Sequence, residues 1–247
     1  MIEDKIIKLK KEFIKIKEMG YVKSTRKGFT GIGKTFEDLI GKEEDNLEEP
    51  DYNGIEIKTK RGYSSSYTTL FNATPKGKTS LETQRLCNRY GYPDKILKDK
   101  KVLNISATTT PVLVAKKYLF YLKVDKLKQK IYLIIKDRWG NTVEDSVYWD
   151  FKMLEEKLTR KLKYVAFVSA WPNQIGNETY YKYYKIQFYE LKSFEKFIEL
   201  INDGKIRISI KMAVFREGPK KGMPHDRGTS FELKHSDFHF LFGEVYI

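Results

Sequence analysis

The chain has 247 residues, 40% of them hydrophobic and 14% aromatic, enough to build a sizeable core and too aromatic for a disordered chain. Its 47 Lys and Arg against 33 Asp and Glu give a formal charge of +14, which points to a polyanionic partner, nucleic acid or an acidic membrane surface. No apolar run approaches the roughly 20 residues of a membrane-spanning helix, and the lone Cys87 excludes an internal disulfide framework and any Cys-rich zinc site, so the chain reads as intracellular and reduced.

Ile2, Ile6, Leu9, Phe13 and Ile16 recur at spacings of three and four and predict an amphipathic first helix that Gly20 ends. Charges alternate with its Ile and Leu residues, unlike a signal peptide. A Gly-rich turn from Gly28 to Gly33 leads into a predicted short helix from about Lys34 to Ile40, stopped by Gly41. Asn53-Gly54 is a strong hairpin signal and predicts strand, turn, strand across Pro50 to Lys58. A polar run from Ser64 precedes a predicted strand at Thr68 to Phe71. Residues 75–95 give no clear pattern. Strands are predicted at Val102 to Ser106, Tyr118 to Val124 and Ile131 to Lys136. A helix follows over Asp150 to Leu162, a buried strand over Tyr164 to Ser169, and a helix over Phe188 to Ile201. Strands at Ile206 to Phe215, Ser230 to Lys234 and Gly243 to Ile247 close the chain. Between the first two of these lies a predicted long basic loop, Gly218 to Gly228, of the kind that carries function. There is no internal repeat and no linker that cleanly cuts two domains.

The charge is unevenly spread. From Glu37 to Glu56 stand nine acids and one base, Lys42, an island of −8 that leaves +22 for the rest. Only nine of the 47 bases are Arg, a Lys bias that an AT-rich genome also produces. Two motifs compete for this third of the chain. Gly28-Phe29-Thr30-Gly31-Ile32-Gly33-Lys34-Thr35 fits the phosphate-cradling P-loop pattern letter for letter. Such a loop should follow a buried hydrophobic strand, and Lys23 to Lys27 cannot supply one. Pro50-Asp51 followed by Glu56-Ile57-Lys58 fits the pattern P-D, spacer, [D/E]-x-K of metal-dependent nucleases. Glu56 and Lys58 lie two apart on a strand and share a face, and the Asn-Gly turn brings Asp51 beside them. Two carboxylates and the Ile57 carbonyl make an all-oxygen site for a hard cation such as Mg²⁺. Lys58 is then placed to orient or deprotonate a water and to offset charge on the reacting phosphate.

These residues, read together, resemble a known family. Thr30 to Leu39, Glu43-Glu44-Asp45-Asn46, Pro50-Asp51 and Ile55 to Thr59 are similar to the catalytic region of the MvaI/BcnI restriction endonucleases, in the MutH-like branch of the PD-(D/E)XK nucleases. Ser146 to Trp149, Lys161 to Ala166, Lys220-Lys221-Gly222 and His225-Asp226-x-Gly228-Thr229 are similar to the MvaI side of that family, so the resemblance covers nearly the whole chain. It implies an α/β (α+β) fold, a mixed sheet flanked by helices in two lobes around a DNA cleft. A catalytic lobe is expected at 1–165 and a recognition lobe at 166–247, with segments shared between them. Asp51 and Glu56 are implied as Mg²⁺ ligands with the Ile57 carbonyl, Mn²⁺ being able to substitute. Lys58 is implied as the catalytic lysine, Glu37 as a further acid and Lys161 as a second active-site lysine, with Lys163 the alternative. The activity implied is that of a monomer cutting double-stranded DNA at a short sequence, nicking each strand in turn. Its setting is the prokaryotic cytoplasm, with a cognate DNA methyltransferase as genetic partner and no membrane.

Lys60 and Arg61 continue the catalytic strand and are candidates to hold the DNA backbone. Lys211, Lys220, Lys221, His225, Asp226, Arg227 and Thr229 are candidate DNA contacts farther on. Here the sequence departs from the family: Ser209-Ile210-Lys211 stands for Asp-x-Arg, Glu232 for an Arg, and Arg227 for a His. Since base reading depends on donor and acceptor placement, the target of the relatives does not transfer directly. Tyr180 to Lys185 interleaves aromatics and bases, as a DNA groove or an inward-packing strand does. His235, Asp237 and His239 read as ordinary surface or core residues, and Cys87 has no role. A P-loop nucleotide-binding protein and a non-catalytic DNA-binding module are the alternative functions.

Overall fold

The computed structural model describes residues 1–42, 49–62 and 66–246. The motif residues Glu43 to Asn46 therefore lie outside the described residues, as do Ser64 and Ser65. The first elements are α1 (Ile2–Glu18), β1 (Tyr21–Lys23), α2 (Gly31–Leu39) and β2 (Glu56–Arg61). A middle stretch holds β3 (Tyr67–Asn72), α3 (Glu82–Tyr90), β4 (Tyr92–Pro93), β5 (Lys101–Ala107), β6 (Val112–Val114), β7 (Tyr118–Asp125), β8 (Lys130–Asp137) and β9 (Thr142–Asp150). Then come α4 (Phe151–Leu162), β10 (Tyr164–Ile175), β11 (Glu178–Leu191), α5 (Phe194–Asn202), β12 (Ile206–Val214), β13 (Pro224–Lys234), α6 (Phe238–Leu241) and β14 (Phe242–Val245). None of the described helices is long and apolar enough to cross a membrane.

The chain forms two compact units, and each is discontinuous. One comprises Met1–Ser66, Leu158–Lys192 and Phe238–Ile247; the other comprises Tyr67–Lys157 and Ser193–Asp237. This differs from the contiguous 1–165 and 166–247 division expected from sequence. The physical reason is the pairing of β2 with β10. The two strands are parallel, and parallel neighbours need a long crossover connection; here the connection is most of the second unit.

In the first unit the strand order is β1-β11-β10-β2, with β14 also paired to β11. Ile6, Leu9, Phe13 and Ile16 of α1 are buried, as their spacing predicts, against Phe36 of α2, Ile57 of β2 and Tyr183 of β11. Tyr181 and Tyr183 are fully buried, so the Tyr-Lys cluster is a strand that packs alternate tyrosines inward. Just past β2, the Gly62 N–H donates to the Ala170 carbonyl at 3.0 Å. A Cβ there would fall 1.9 Å from the Trp171 ring, which is stacked on Tyr184 at 4.7 Å. Gly62→Ala should therefore lower stability by about 1–3 kcal/mol, the usual cost of overpacking. The melting temperature by circular dichroism checks this, and an unchanged value would mean that Trp171 moves freely.

In the second unit one sheet runs β3-β13-β12-β5-β4 and another β6-β7-β8-β9. Its core centres on Phe71, Phe197 and Phe231, and on Trp149, whose indole N–H donates to the Ala73 carbonyl at 2.9 Å. A charged cluster is sealed inside it. Arg85 donates from Nη1 to Glu144 at 2.7 Å and from Nε to Glu82 at 2.8 Å, and the Tyr90 hydroxyl donates to the Val143 carbonyl. Glu82 and Glu144 are both buried.

Two predicted elements change. The helix expected over Phe188 to Ile201 splits: residues 188–191 complete β11, held between β10 and β14. The helix α5 starts only after Ser193, whose hydroxyl accepts the Lys196 N–H at 3.1 Å as an N-cap. The loop expected from Gly218 to Gly228 ends early, because Pro224, His225 and Asp226 pair with Val214, Ala213 and Met212 of β12. A bulge between Ile210 and Met212 absorbs the register shift.

Candidate active site

The turn at Asn53-Gly54 builds the site. Both residues have positive φ, 49° and 90°, and Tyr52 and Ile55 exchange two backbone hydrogen bonds at 2.9 Å, the tight hairpin that the Asn-Gly pair favours. The chain thus doubles back, and Asp51 Oδ2 accepts the Ile57 N–H at 2.9 Å. Ile55 and Ile57 are buried with α1 and α2. Strand alternation then sends Glu56 and Lys58 to the opposite face, where Lys58 Nζ lies 2.7 Å from Glu56 Oε1. Lys161, in the last turn of α4, brings its Nζ to 3.8 Å from the same oxygen. Lys163 does not join them: its amine lies over the Tyr164 ring, 5.7 Å from the centroid.

Glu56 is only 3% exposed, and its second oxygen, Oε2, is buried with no hydrogen-bond partner. Burial pushes its carboxyl above the usual range against the pull of Lys58, and the charge of Asp51 adds to the rise. Glu37, half-buried on α2, is also raised, first by burial and then by Asp51, with Lys42 and Lys34 opposing. The acids predicted from sequence therefore feel one another. Among the described residues no three His, Cys, Asp or Glu side chains gather into a metal cluster. The oxygens on offer are the Asp51 and Glu56 carboxylates and the Ile57 carbonyl. In a strand the N–H and C=O of one residue point to the same side, so that carbonyl takes the side of Asp51. An orphaned buried carboxylate oxygen in a set of hard oxygens suits a hard divalent cation.

Sequence reasoning overlooked one partner. Lys42 Nζ lies 2.7 Å from Asp51 Oδ1. Its signal was visible as the single base of the acidic island.

The P-loop pattern does not form a P-loop. The strand before it, β1, has three residues and sits at a sheet edge, separated from α2 by residues 24–30. Thr35 is buried and its hydroxyl accepts the Thr25 N–H at 3.0 Å, while Lys34 Nζ lies 2.6 Å from Asp38. The lysine and hydroxyl that would meet phosphate are turned inward to the protein.

Lys60 and Arg61 lie on β2 in the first unit; the Lys60 amine stands over Phe167, and burial lowers its pKa first, then Lys185. The other candidate DNA contacts belong to the second unit. Lys220 and Lys221 are exposed in the β12–β13 turn. His225 stacks on Phe215 with ring centroids 4.1 Å apart, and Asp226 accepts the Gly228 N–H at 2.7 Å. Lys211 and Arg227 line a cleft with Asn104, Ser106 and Ser209. Lys211 Nζ is 2.8 Å from Glu232, which Arg207 also grips at 2.8 Å. Thr229 is buried with its hydroxyl unpartnered.

A family model described as the MvaI/BcnI restriction endonuclease family matches residues 10–242. Among solved structures, the restriction endonuclease MvaI in complex with cognate DNA is similar at a TM-score of 0.88 and 33% identity, over 96% of each chain. MvaI in the absence of DNA is similar at a TM-score of 0.62 and 31% identity, over 98% of this chain and 96% of that one. No curated protein matches.

Proposed function

The chain belongs to the MvaI/BcnI restriction endonuclease family and is by that membership a type II site-specific endonuclease, and on that premise we propose that Asp51, Glu56 and Lys58 form its catalytic centre for Mg²⁺-dependent hydrolysis of double-stranded DNA. The observation that carries this is the convergence of two carboxylates and a lysine on one hairpin, with Glu56 Oε2 left unsatisfied.

Asp51, Glu56 and the Ile57 carbonyl would hold the cation, with Mn²⁺ able to replace Mg²⁺. When bound, the ion supplies Lewis acidity toward the phosphate and lowers the pKa of water. Lys58, fixed by Glu56, orients the attacking water and donates to the phosphate oxygens as their charge grows. Lys161 adds a second positive charge over the same carboxylate. Lys42 holds Asp51 in place, and Glu37 adds negative charge at the rim. Lys60 and Arg61 grip the backbone beyond the cleaved bond. In the second unit Lys211, Lys220, Lys221, His225, Asp226 and Arg227 supply phosphate and base contacts, His225 held flat by Phe215 and Lys211 aimed by Glu232, whereas Thr229, expected among them from sequence, is buried and makes no such contact. With one such centre per chain, a monomer cuts a duplex by nicking each strand in turn. A DNA methyltransferase protecting the host genome is the expected genetic partner, and the prokaryotic cytoplasm the place of action.

Purified protein with Mg²⁺ and plasmid, without ATP, should give a nicked circle and then discrete fragments whose sequenced ends define the target. EDTA should stop the reaction, and plasmid left intact across many sequences would refute the assignment. The raised Glu56 carboxyl adds a pH dependence. Ligation needs the ionised form, so Mg²⁺ affinity by calorimetry should increase as pH rises above the ordinary carboxylate range. An affinity flat with pH would remove Glu56 from the ligand set.

A further inference from the structure

Phe29 stands in the turn before α2 with 86% of its surface exposed. A single exposed apolar side chain normally needs no explanation, but this one is held out by a stiff turn. Gly28 takes a φ of +88°, the Ser24 hydroxyl donates to the Arg26 carbonyl at 2.7 Å, and the Thr25 N–H is tied to Thr35. A Cβ on Gly31 would fall 2.4 Å from the Arg26 carbonyl, so the turn is folded tightly on itself. The Arg61 guanidinium stands over the ring, 5.1 Å from its centroid.

Arg61 ends the strand that carries Glu56 and Lys58. Along the strand its backbone lies about 10 Å beyond Lys58 at about 3.3 Å per residue, close to three nucleotide steps at about 3.4 Å each. The odd spacing turns its side chain to the face of Ile57 and α2 rather than that of Lys58. One ring and one guanidinium on a turn are too small to fill a major groove about 12 Å wide, and they match a minor groove of about 6 Å. An apolar wedge beside a basic side chain is the combination that groove accepts.

Resting on the assignment of Asp51, Glu56 and Lys58 as the cleavage centre, we propose that Phe29 is a DNA-contacting residue whose ring, backed by Arg61, enters the minor groove and stacks on a base or sugar about three nucleotides from the cleaved bond. The turn is rigid so that the ring arrives ordered, and Arg61 offsets the phosphates on either side.

The test uses the full chain, a duplex containing the mapped cleavage site, and Ca²⁺ in place of Mg²⁺ so that DNA binds uncut. Phe29→Trp should bind as the wild type does and show a DNA-dependent emission change that the wild type lacks. Phe29→Ala should weaken binding about tenfold, the size of one lost base–aromatic contact. With 2-aminopurine placed at each flanking position in turn, the wild type should raise emission about three nucleotides from the cut, and Phe29→Ala should not. A Phe29→Ala protein that binds and cuts like the wild type, or a Phe29→Trp emission that DNA leaves unmoved, would overturn the proposal. If the wild type fails to cut any DNA, the cleavage centre itself is misassigned and this inference falls with it, a result distinct from failure of the Phe29 variants alone.

Discussion

Replacing Asp51 with Ala should slow plasmid cleavage by about a thousandfold or more while duplex binding in Ca²⁺-free buffer stays within a fewfold of the wild type. In the proposed centre Asp51 contributes one of the two carboxylates, and losing cation stabilisation worth several kcal/mol in the transition state corresponds to a rate loss of about that size. The substitution has a structural side too, since it leaves the Ile57 N–H and the Lys42 amine without their carboxylate. Binding and melting temperature must therefore be measured beside cleavage. Loss of cutting by a folded protein that still binds DNA supports the catalytic role. A cutting rate near that of the wild type would take Asp51 out of the site.

Arg85→Leu should be the most damaging substitution away from the site, lowering stability by about 3–5 kcal/mol, because it strands two buried carboxylates whose charges were paired. Glu82 and Glu144 both lean on Arg85. Burial alone would raise the Glu144 carboxyl, but the Arg85 and Ser146 hydrogen bonds outweigh it and hold it down to about 2. A carboxyl depressed in the folded state stabilises the fold fully above its unfolded value of about 4.5, and that contribution is lost as pH falls from there toward 2. Urea denaturation between pH 7 and pH 3 should show wild-type stability falling across that window. In Arg85→Leu stability should be low at pH 7 and should recover on acidification, as the stranded acids take up protons. Equal slopes for both proteins would mean that the cluster does not set the acid sensitivity.

Much of the site was legible in the sequence because its geometry is local. The Asn53-Gly54 turn, the two-residue spacing of Glu56 and Lys58 and the apolar Ile55 and Ile57 that alternate with them fix the hairpin without reference to anything distant. The face of α1 was equally plain, being one stripe of one helix. Of the two lysines that the resemblance offered, Lys161 is the one whose amine lies near Glu56, at 3.8 Å. What escaped depends on partners far along the chain. Residues 188–191 carry an apolar pattern compatible with a helix, and only the flanking strands β10 and β14 make them extended. Residues 224–228 are rich in Pro, Gly and charge, the composition of a loop, yet β12 draws the first of them into a ladder. The buried cluster around Arg85 joins α3 to β9, and nothing near either segment announces the other. The contiguous lobe boundary missed the two discontinuous units for the same reason.

The parallel pairing of β2 with β10 also sets when the enzyme comes into being. Glu56 pairs with Val165 and Arg61 with Ala170, more than a hundred residues later, and Lys161 arrives only with the last turn of α4. A growing chain on the ribosome carries Glu37 and the local hairpin of Asp51, Glu56 and Lys58 early, but the strand that pairs with β2 is complete only when the segment through Ala170 has emerged. Of the other strands of that sheet β1 precedes β2, while β11 and β14 come later still. A chain truncated before Ala170 thus holds the proposed catalytic hairpin without the strand that flanks it, and one truncated before Lys161 also lacks the amine beside Glu56.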